Sequence, residues 1–193
     1  MILLNILVIV IGIFLCVGIL TMLGMYLRSE VQHYYYYQAP TIRTYYSHFQ
    51  LMKSQLHFDP EKKLIDLGCG DGAVLRFLAQ YAHMKHLSGV DNNRIAIWYG
   101  LLVNRAFGHH TINLTYGDIQ EIDISAYDYI YLFLVPKHLD TLQDWLQNNM
   151  KSDAIVVNNT FQFSHREVSE ELRDPKTGSV FWIYKKSTSK LAE

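Results

Sequence analysis

The stretch that decides the fold is Lys63–Gly72, "KLIDLGCGDG". Lys63 to Leu67 have strand character and run directly into a turn with glycines at 68, 70 and 72. A helical pattern then covers Gly72 to Ala82, with Val74, Leu75, Phe77 and Leu78 at helical spacing. A strand, a glycine turn and a helix in this order open a strand–helix–strand unit. Glycines remove side chains where the backbone must turn sharply and let a ligand come close.

Downstream the alternation continues. "HLSGVD" reads as a second strand, Arg94 to Phe107 as a helix capped by Asn92 or Asn93, "INLTYGD" as a third strand and "YDYIYLFLV" as a fourth. Leu139, Leu142, Trp145 and Leu146 mark the buried face of a further helix, and "AIVVNNTF" is a fifth strand. "VSEELRDPKTGSVFWIYKK" holds two alternating runs around Asp174–Gly178, a hairpin pattern. This predicts an α/β fold: a Rossmann-like, mostly parallel sheet with helices on both faces and an antiparallel C-terminal edge hairpin.

Upstream, Ile2 to Leu27 carries no charge and only Asn5 and Thr21 as polar side chains. As a helix it reaches roughly 39 Å, longer than the ~30 Å hydrocarbon core. No Lys or Arg precedes the run and no A-x-A site follows it, which argues against a cleaved signal peptide. One N-terminal transmembrane helix is therefore expected. Arg28 and Arg43 after it place the remainder on the cytoplasmic, or matrix, side. Tyr34 to Tyr37 read as an interfacial collar, with a substrate-facing surface as the sharper alternative. The expected organisation is an anchor over 1–28, a linker with a helix around Tyr45 to Leu56 over 29–60, the main domain over 61–187 and a tail over 188–193.

The formal net charge of −1 gives no footprint for nucleic acid. Cys16 and Cys69 sit in an apolar run and a glycine turn, a poor pair for a disulfide. His83 and His86, and His109 and His110, lack the cysteine or acid partners of a metal site, so no metal is expected.

The acids point to the ligand of the glycine turn. Asp66 lies inside the first strand, two residues before Gly68, where it would repel a pyrophosphate and attract a cation. S-Adenosylmethionine has a sulfonium and an ammonium group and no phosphate. Asp91 ends the second strand, 21 residues after Gly70, where a carboxylate holds ribose hydroxyls. Asp118 ends the third, placed to accept from an adenine amino group, with Ile119 beside it to cover the ring. Cys69 and Asn92 complete the expected cofactor-binding set with Asp66, Gly68, Gly70, Asp91, Asp118 and Ile119. A dinucleotide-dependent oxidoreductase, for which Gly68, Gly70 and Ala73 supply a matching pattern, is disfavoured by Asp66.

"DLGCGDG", "GVDNN", "YGDI" and "YDYIYLFLVP" in this order resemble the motif series of class I S-adenosylmethionine-dependent methyltransferases. More narrowly, the chain resembles the small membrane-associated lysine methyltransferases of the ATP synthase c-subunit and the adenine nucleotide carrier, with their bacterial relatives. The resemblance runs from Ala39 to about Phe163. Ala39, Pro40, Ile42 and Thr44 fit a family segment A-P-Y-V-P-T, with Thr41 in place of its aromatic and Arg43 in place of its second proline. It implies cofactor contacts at Asp66, Gly68, Gly70, Asp91 and Asp118, and puts Thr44 and the surroundings of Pro136 near the reacting centre.

The end of the fourth strand, "FLVP", faces the ligand side of such a sheet. It lacks the Asn/Asp-Pro-Pro-aromatic motif that grips planar amides and bases. A lysine amine needs no acid; it needs to be neutral, which costs roughly 4.6 kcal/mol at pH 7 in water and less in an apolar pocket. Thr44, Leu134, Pro136 and His138 are the expected catalytic residues, and Phe133, Val135, Asn159 and Phe161 the expected substrate contacts. The expected activity is methyl transfer to lysine of a membrane protein. The alternatives are a lipid-like quinone precursor as acceptor, or a non-catalytic assembly factor that binds the same cofactor.

Overall fold

The computed structural model describes residues 1–37 and 44–186. Ala39, Pro40, Thr41, Ile42 and Arg43 lie outside the described residues, as do the side chains of Tyr34 to Tyr37. The chain divides into two compact units, Met1–Thr41 and Ile42–Glu193.

The first unit is one helix, α1 (Ile2–Tyr37). It continues nine residues past Arg28, where the sequence reading had begun a linker; nothing between Ser29 and Tyr37 is a proline or glycine that would stop it. Its segment Asn5–Arg28, mean hydropathy 3.1, is long and apolar enough to cross a membrane by length and composition.

The second unit contains α2 (Tyr46–Gln55), β1 (Lys63–Leu67), α3 (Ala73–Tyr81), β2 (His86–Asp91), α4 (Arg94–Ala106), β3 (Ile112–Tyr116), β4 (Tyr129–Leu132), α5 (Pro136–Asn149), β5 (Ile155–Asn159), β6 (Glu170–Arg173) and β7 (Val180–Lys185). The sheet runs β3-β2-β1-β4-β5-β7-β6, with β1 to β5 parallel and the last pair antiparallel. The hairpin therefore enters by its second strand: β7 pairs with β5, and β6 is the edge.

Alternation along the strands separates two cores. Leu64, Leu87, Ile112, Tyr131, Val157 and Phe181 pack with α2, α3 and α4 on one face. Ile65, Leu67, Val90, Ile130, Val156 and Trp182 pack with Leu139, Leu142 and Leu146 of α5 on the other. Asn93 caps α4, its side chain accepting from the Ile95 and Ala96 amides. β4 ends at Leu132, earlier than the apolar run suggested. Pro136 is the first residue of α5, so Phe133 to Val135 form the extended link into that helix.

Candidate active site

The ends of β1, β2 and β4 converge on the glycine turn. Gly68 and Gly70 have φ of +89° and +55°, the left-handed region that side chains resist. The amides of Gly68 and Cys69 donate to the Val90 carbonyl at 2.8 and 3.1 Å. Asp91 clamps the turn: Oδ2 accepts from the Gly70 amide and Oδ1 from the Asn93 amide, each at 2.7 Å. Its carbonyl accepts from the Gly117 amide at 3.1 Å, which brings Asp118 to the same edge. Asp118 is exposed; Oδ1 accepts from the Gln120 amide at 2.9 Å and caps a short 3-10 turn, Ile119–Glu121. A carboxylate has a second oxygen to offer an amino group. Ile119 is half-buried against the α5-side core, and Cys69 is buried with its sulfur against Gly89.

A Cβ added at Gly70 would meet nothing within 4 Å, so the turn presents bare backbone to open space. Asp66 beside it is 2 % exposed. Burial first, then the charges of Asp91 and Asp71, push its carboxyl well above the ordinary range. A cationic ligand at this point relieves the repulsion between Asp66 and Asp91, while Asp71 is already paired with Arg76 at 2.8 Å. The residues present thus fit S-adenosylmethionine: Asp66 toward its positive groups, Asp91 and Asp118 toward hydroxyl and amino donors, and Gly68 to Gly70 as the close backbone wall.

The dry strand end meets this turn. A Cβ on Gly68 would sit 2.8 Å from Leu134 Cδ2, so Leu134 packs directly on the turn. Phe133, its neighbour, lines a cleft of about 350 Å³ with Tyr45, Ser47, His48, Thr160, Phe161, Gly178 and Ser179 among others. Phe133 and Phe161 stack with centroids 6.3 Å apart. Phe161, an expected substrate contact, lines the cleft. Asn159 does not line the cleft; it is fully buried, because its amide nitrogen donates to the Tyr131 hydroxyl at 2.9 Å behind the wall. Tyr131 also shares a hydrogen bond with Thr44, and burial raises its phenol far above the usual range. Val135 N-caps α5, and Pro136 and His138 start that helix outside the set that lines the cleft.

Sequence reasoning missed Tyr45, His48, Thr160 and Tyr131. His48 lies on the first turn of α2, and no spacing in the sequence links it to Thr160 or Tyr131. Among the described residues, no three or more His, Cys, Asp or Glu are grouped to hold a metal.

Comparison with known proteins agrees with this geometry. The model of the ANTKMT methyltransferase domain matches residues 66–170, more than half of the chain. Among curated proteins, cycloartenol-C-24-methyltransferase of Arabidopsis thaliana is 30% identical over 87 residues, covering 44% of this chain and 26% of that protein. The small RNA 2'-O-methyltransferase of Mus musculus is 29% identical over 108 residues, covering 50% and 27%. The chain thus spans about a quarter of the length of these relatives. Among solved structures, an RNA methyltransferase from Salinibacter ruber, in complex with S-adenosyl-L-homocysteine, superposes with TM-score 0.67 at 18% identity, covering 79% of this chain and 98% of that one. A mutant of MtNAS in complex with S-adenosylmethionine superposes with TM-score 0.62 at 14% identity, covering 73% and 62%. At these identities the likeness establishes the fold. With more than half of its length matched and the glycine turn and its acids in place, the chain belongs to the family of the ANTKMT methyltransferase domain, a class I S-adenosylmethionine-dependent methyltransferase.

Proposed function

We propose that this methyltransferase acts on the lysine amine of a membrane-associated protein. The observation that carries the reading is the cleft beside Leu134. Among the described residues it is lined by Tyr45, His48, Phe133 and Phe161 with the hydroxyls of Ser47, Thr160, Thr177 and Ser179 and by no Asp, Glu, Lys or Arg, and it lies one residue from the side chain that covers Gly68. Such a wall disfavours an ammonium and favours the neutral amine that a methylation needs. S-Adenosylmethionine supplies an activated methyl group on a positively charged sulfur, so no acid is required to assist its departure. The chain's own contribution is to hold a narrow aliphatic amine in line and exclude water, a positioning effect worth up to ~7–11 kcal/mol. The family match supports the resemblance of the motif series to lysine methyltransferases. The apolar segment Asn5–Arg28 supports a membrane location for both enzyme and acceptor.

The His48 ring in the cleft favours one second acceptor, the phenolic hydroxyl of a quinone precursor, because a base must take the phenol proton. The test is the fate of a labelled methyl group. The full chain is incubated with membranes and methyl-labelled S-adenosylmethionine, with Asp91→Ala as control. Label in protease-sensitive, acid-precipitable material, recovered as methyllysine after hydrolysis, is the expected result. Label that passes into organic solvent would overturn it in favour of the phenol, and cofactor binding without transfer would leave a binding protein.

A further inference from the structure

Of the residues lining the cleft, His48 alone has a buried side-chain polar atom with no hydrogen-bond partner among the described residues: its Nδ1. Such atoms are exceptions in folded proteins and call for an explanation. The ring is 7 % exposed and packs against Tyr45, Phe133 and Phe181, with centroids 6.1, 6.1 and 6.0 Å away. None of these rings offers Nδ1 a recorded donor or acceptor.

The other nitrogen has a partner. Nε2 lies 3.0 Å from Thr160 Oγ1. Thr160 has a single hydroxyl proton, which it donates to Asn159 Oδ1 at 3.0 Å. Asn159 in turn donates through Nδ2 to the Tyr131 hydroxyl. With the Thr160 proton assigned to Asn159, Thr160 accepts from His48, which assigns the imidazole hydrogen to Nε2 and the lone pair to Nδ1. Thr160 itself is held at φ +68°, a conformation uncommon for a β-branched residue. Its amide donates to the Val180 carbonyl and its carbonyl accepts from Trp182 Nε1 at 2.9 Å. The relay is therefore anchored in the sheet, and it fixes the His48 ring in the lining of a cleft whose other described walls are the rings of Tyr45, Phe133 and Phe161 and the hydroxyls of Ser47, Thr160, Thr177 and Ser179.

We propose that His48 binds the methyl acceptor: Nδ1 accepts an N–H hydrogen bond from the neutral primary amine and fixes its rotation within the cleft. This rests on the lysine reading above. The amine loses its extra proton to water before it is engaged. Its nitrogen lone pair then forms the new bond to the methyl carbon, while the sulfur keeps the electron pair of the bond that breaks. The product is a methylammonium, and His48 neither gains nor loses a proton. Burial lowers the basicity of His48, which suits an acceptor that stays neutral. The titratable neighbours are Tyr45 at the cleft and Tyr131 at the far end of the relay; among the described residues no carboxylate or cation lines the cleft.

The test uses the full chain in detergent micelles, labelled with 15N-histidine, saturated with S-adenosylhomocysteine and titrated with n-butylamine above pH 10. His48→Phe identifies the resonances. The expected spectrum shows the Nε2–H tautomer, with a saturable movement of the Nδ1 signal on adding butylamine. An Nδ1–H tautomer, or an Nδ1 signal that butylamine leaves in place, would overturn the proposal. Movement with phenol and not with butylamine would also overturn it and assign a hydroxyl acceptor. In transfer assays His48→Phe should lose roughly 10- to 100-fold at unchanged S-adenosylmethionine affinity, the scale of one buried acceptor. His48→Asn, whose amide oxygen can stand near Nδ1, should recover part of it. Thr160→Val, which keeps the ring and frees its tautomer, should also slow transfer without loss of cofactor binding. Full transfer by His48→Phe sinks the proposal. A wild type that binds cofactor yet labels no protein counts against the lysine reading, and the butylamine spectrum then decides the role of His48 alone.

Discussion

Asp66 shows how one residue couples the cofactor to protons. Its carboxyl is buried, and Asp91 and Asp71 lie close enough to raise it further, so it holds a proton to higher pH than in the unfolded chain. The sign follows from linkage. A carboxyl whose folded value is raised contributes stability that is fully present below the unfolded value of 3.8 and is lost as pH climbs through the folded one. A cationic ligand has the opposite preference, since it favours the carboxylate. Binding of S-adenosylmethionine should therefore release protons and tighten with rising pH, by up to about tenfold per unit across the window where Asp66 titrates. Calorimetry in buffers of different ionisation enthalpy measures the release directly. Asp66→Asn should abolish the pH slope and weaken binding, while unfolding more stably than wild type at alkaline pH; a slope unchanged in this variant would assign the titration elsewhere.

At the scale of elements, α4 sets the position of the cofactor turn by close backbone packing. A Cβ on Gly100 would stand 2.4 Å from the Asp71 carbonyl oxygen and 2.7 Å from Leu114 Cδ1. Gly100→Ala must push α4 away from the turn, at about 1–3 kcal/mol of overpacking. A lowered Tm together with weakened S-adenosylmethionine affinity is the expected outcome; lowered stability with wild-type affinity would show that the turn is indifferent to the helix. Gly100 was invisible in the sequence as anything but a weak point in a helical pattern, because its reason is a tertiary contact. What the sequence carried well was periodicity. The strands at 63–67 and 86–91, the helix after Asn93 and the C-terminal hairpin lie where alternation and caps put them. Periodicity does not say which strand of a hairpin pairs inward, nor where an apolar run leaves a sheet, so the placing of β7 and the early end of β4 needed the structure. The grouping of Asp66, Asp91 and Asp118 around the glycine turn was legible because strand ends are. Asn159 was misplaced, since a polar residue at a strand end reads as a wall of the mouth until its partner, Tyr131 across β4, is known. His48 was missed for the converse reason: it stands on a helix of weak pattern, and its meaning comes from residues about 110 positions away.

For the whole molecule, the two units have separable physical roles. Among the described residues, both hydrophobic cores are built from the Ile42–Glu193 unit, so that unit has what it needs to fold without α1. The α1 segment Asn5–Arg28 is apolar along its length, with a mean hydropathy of 3.1. Apolar area of this extent in water is a strong drive toward a bilayer at ~25 cal/mol per Å². On the proposed reading, enzyme and acceptor in one bilayer meet at a local concentration on the order of millimolar instead of by a bulk encounter. Removing residues 1–37 should therefore leave S-adenosylmethionine affinity and Tm unchanged, while the protein moves from the membrane pellet to the supernatant on sedimentation. Transfer to an acceptor in membranes should fall by at least about tenfold at micromolar enzyme, and transfer to the same acceptor in detergent should not. That contrast separates tethering from chemistry: equal losses in both media would mean that α1 helps to form the site itself, and equal activity in both would mean that the bilayer plays no part in finding the acceptor.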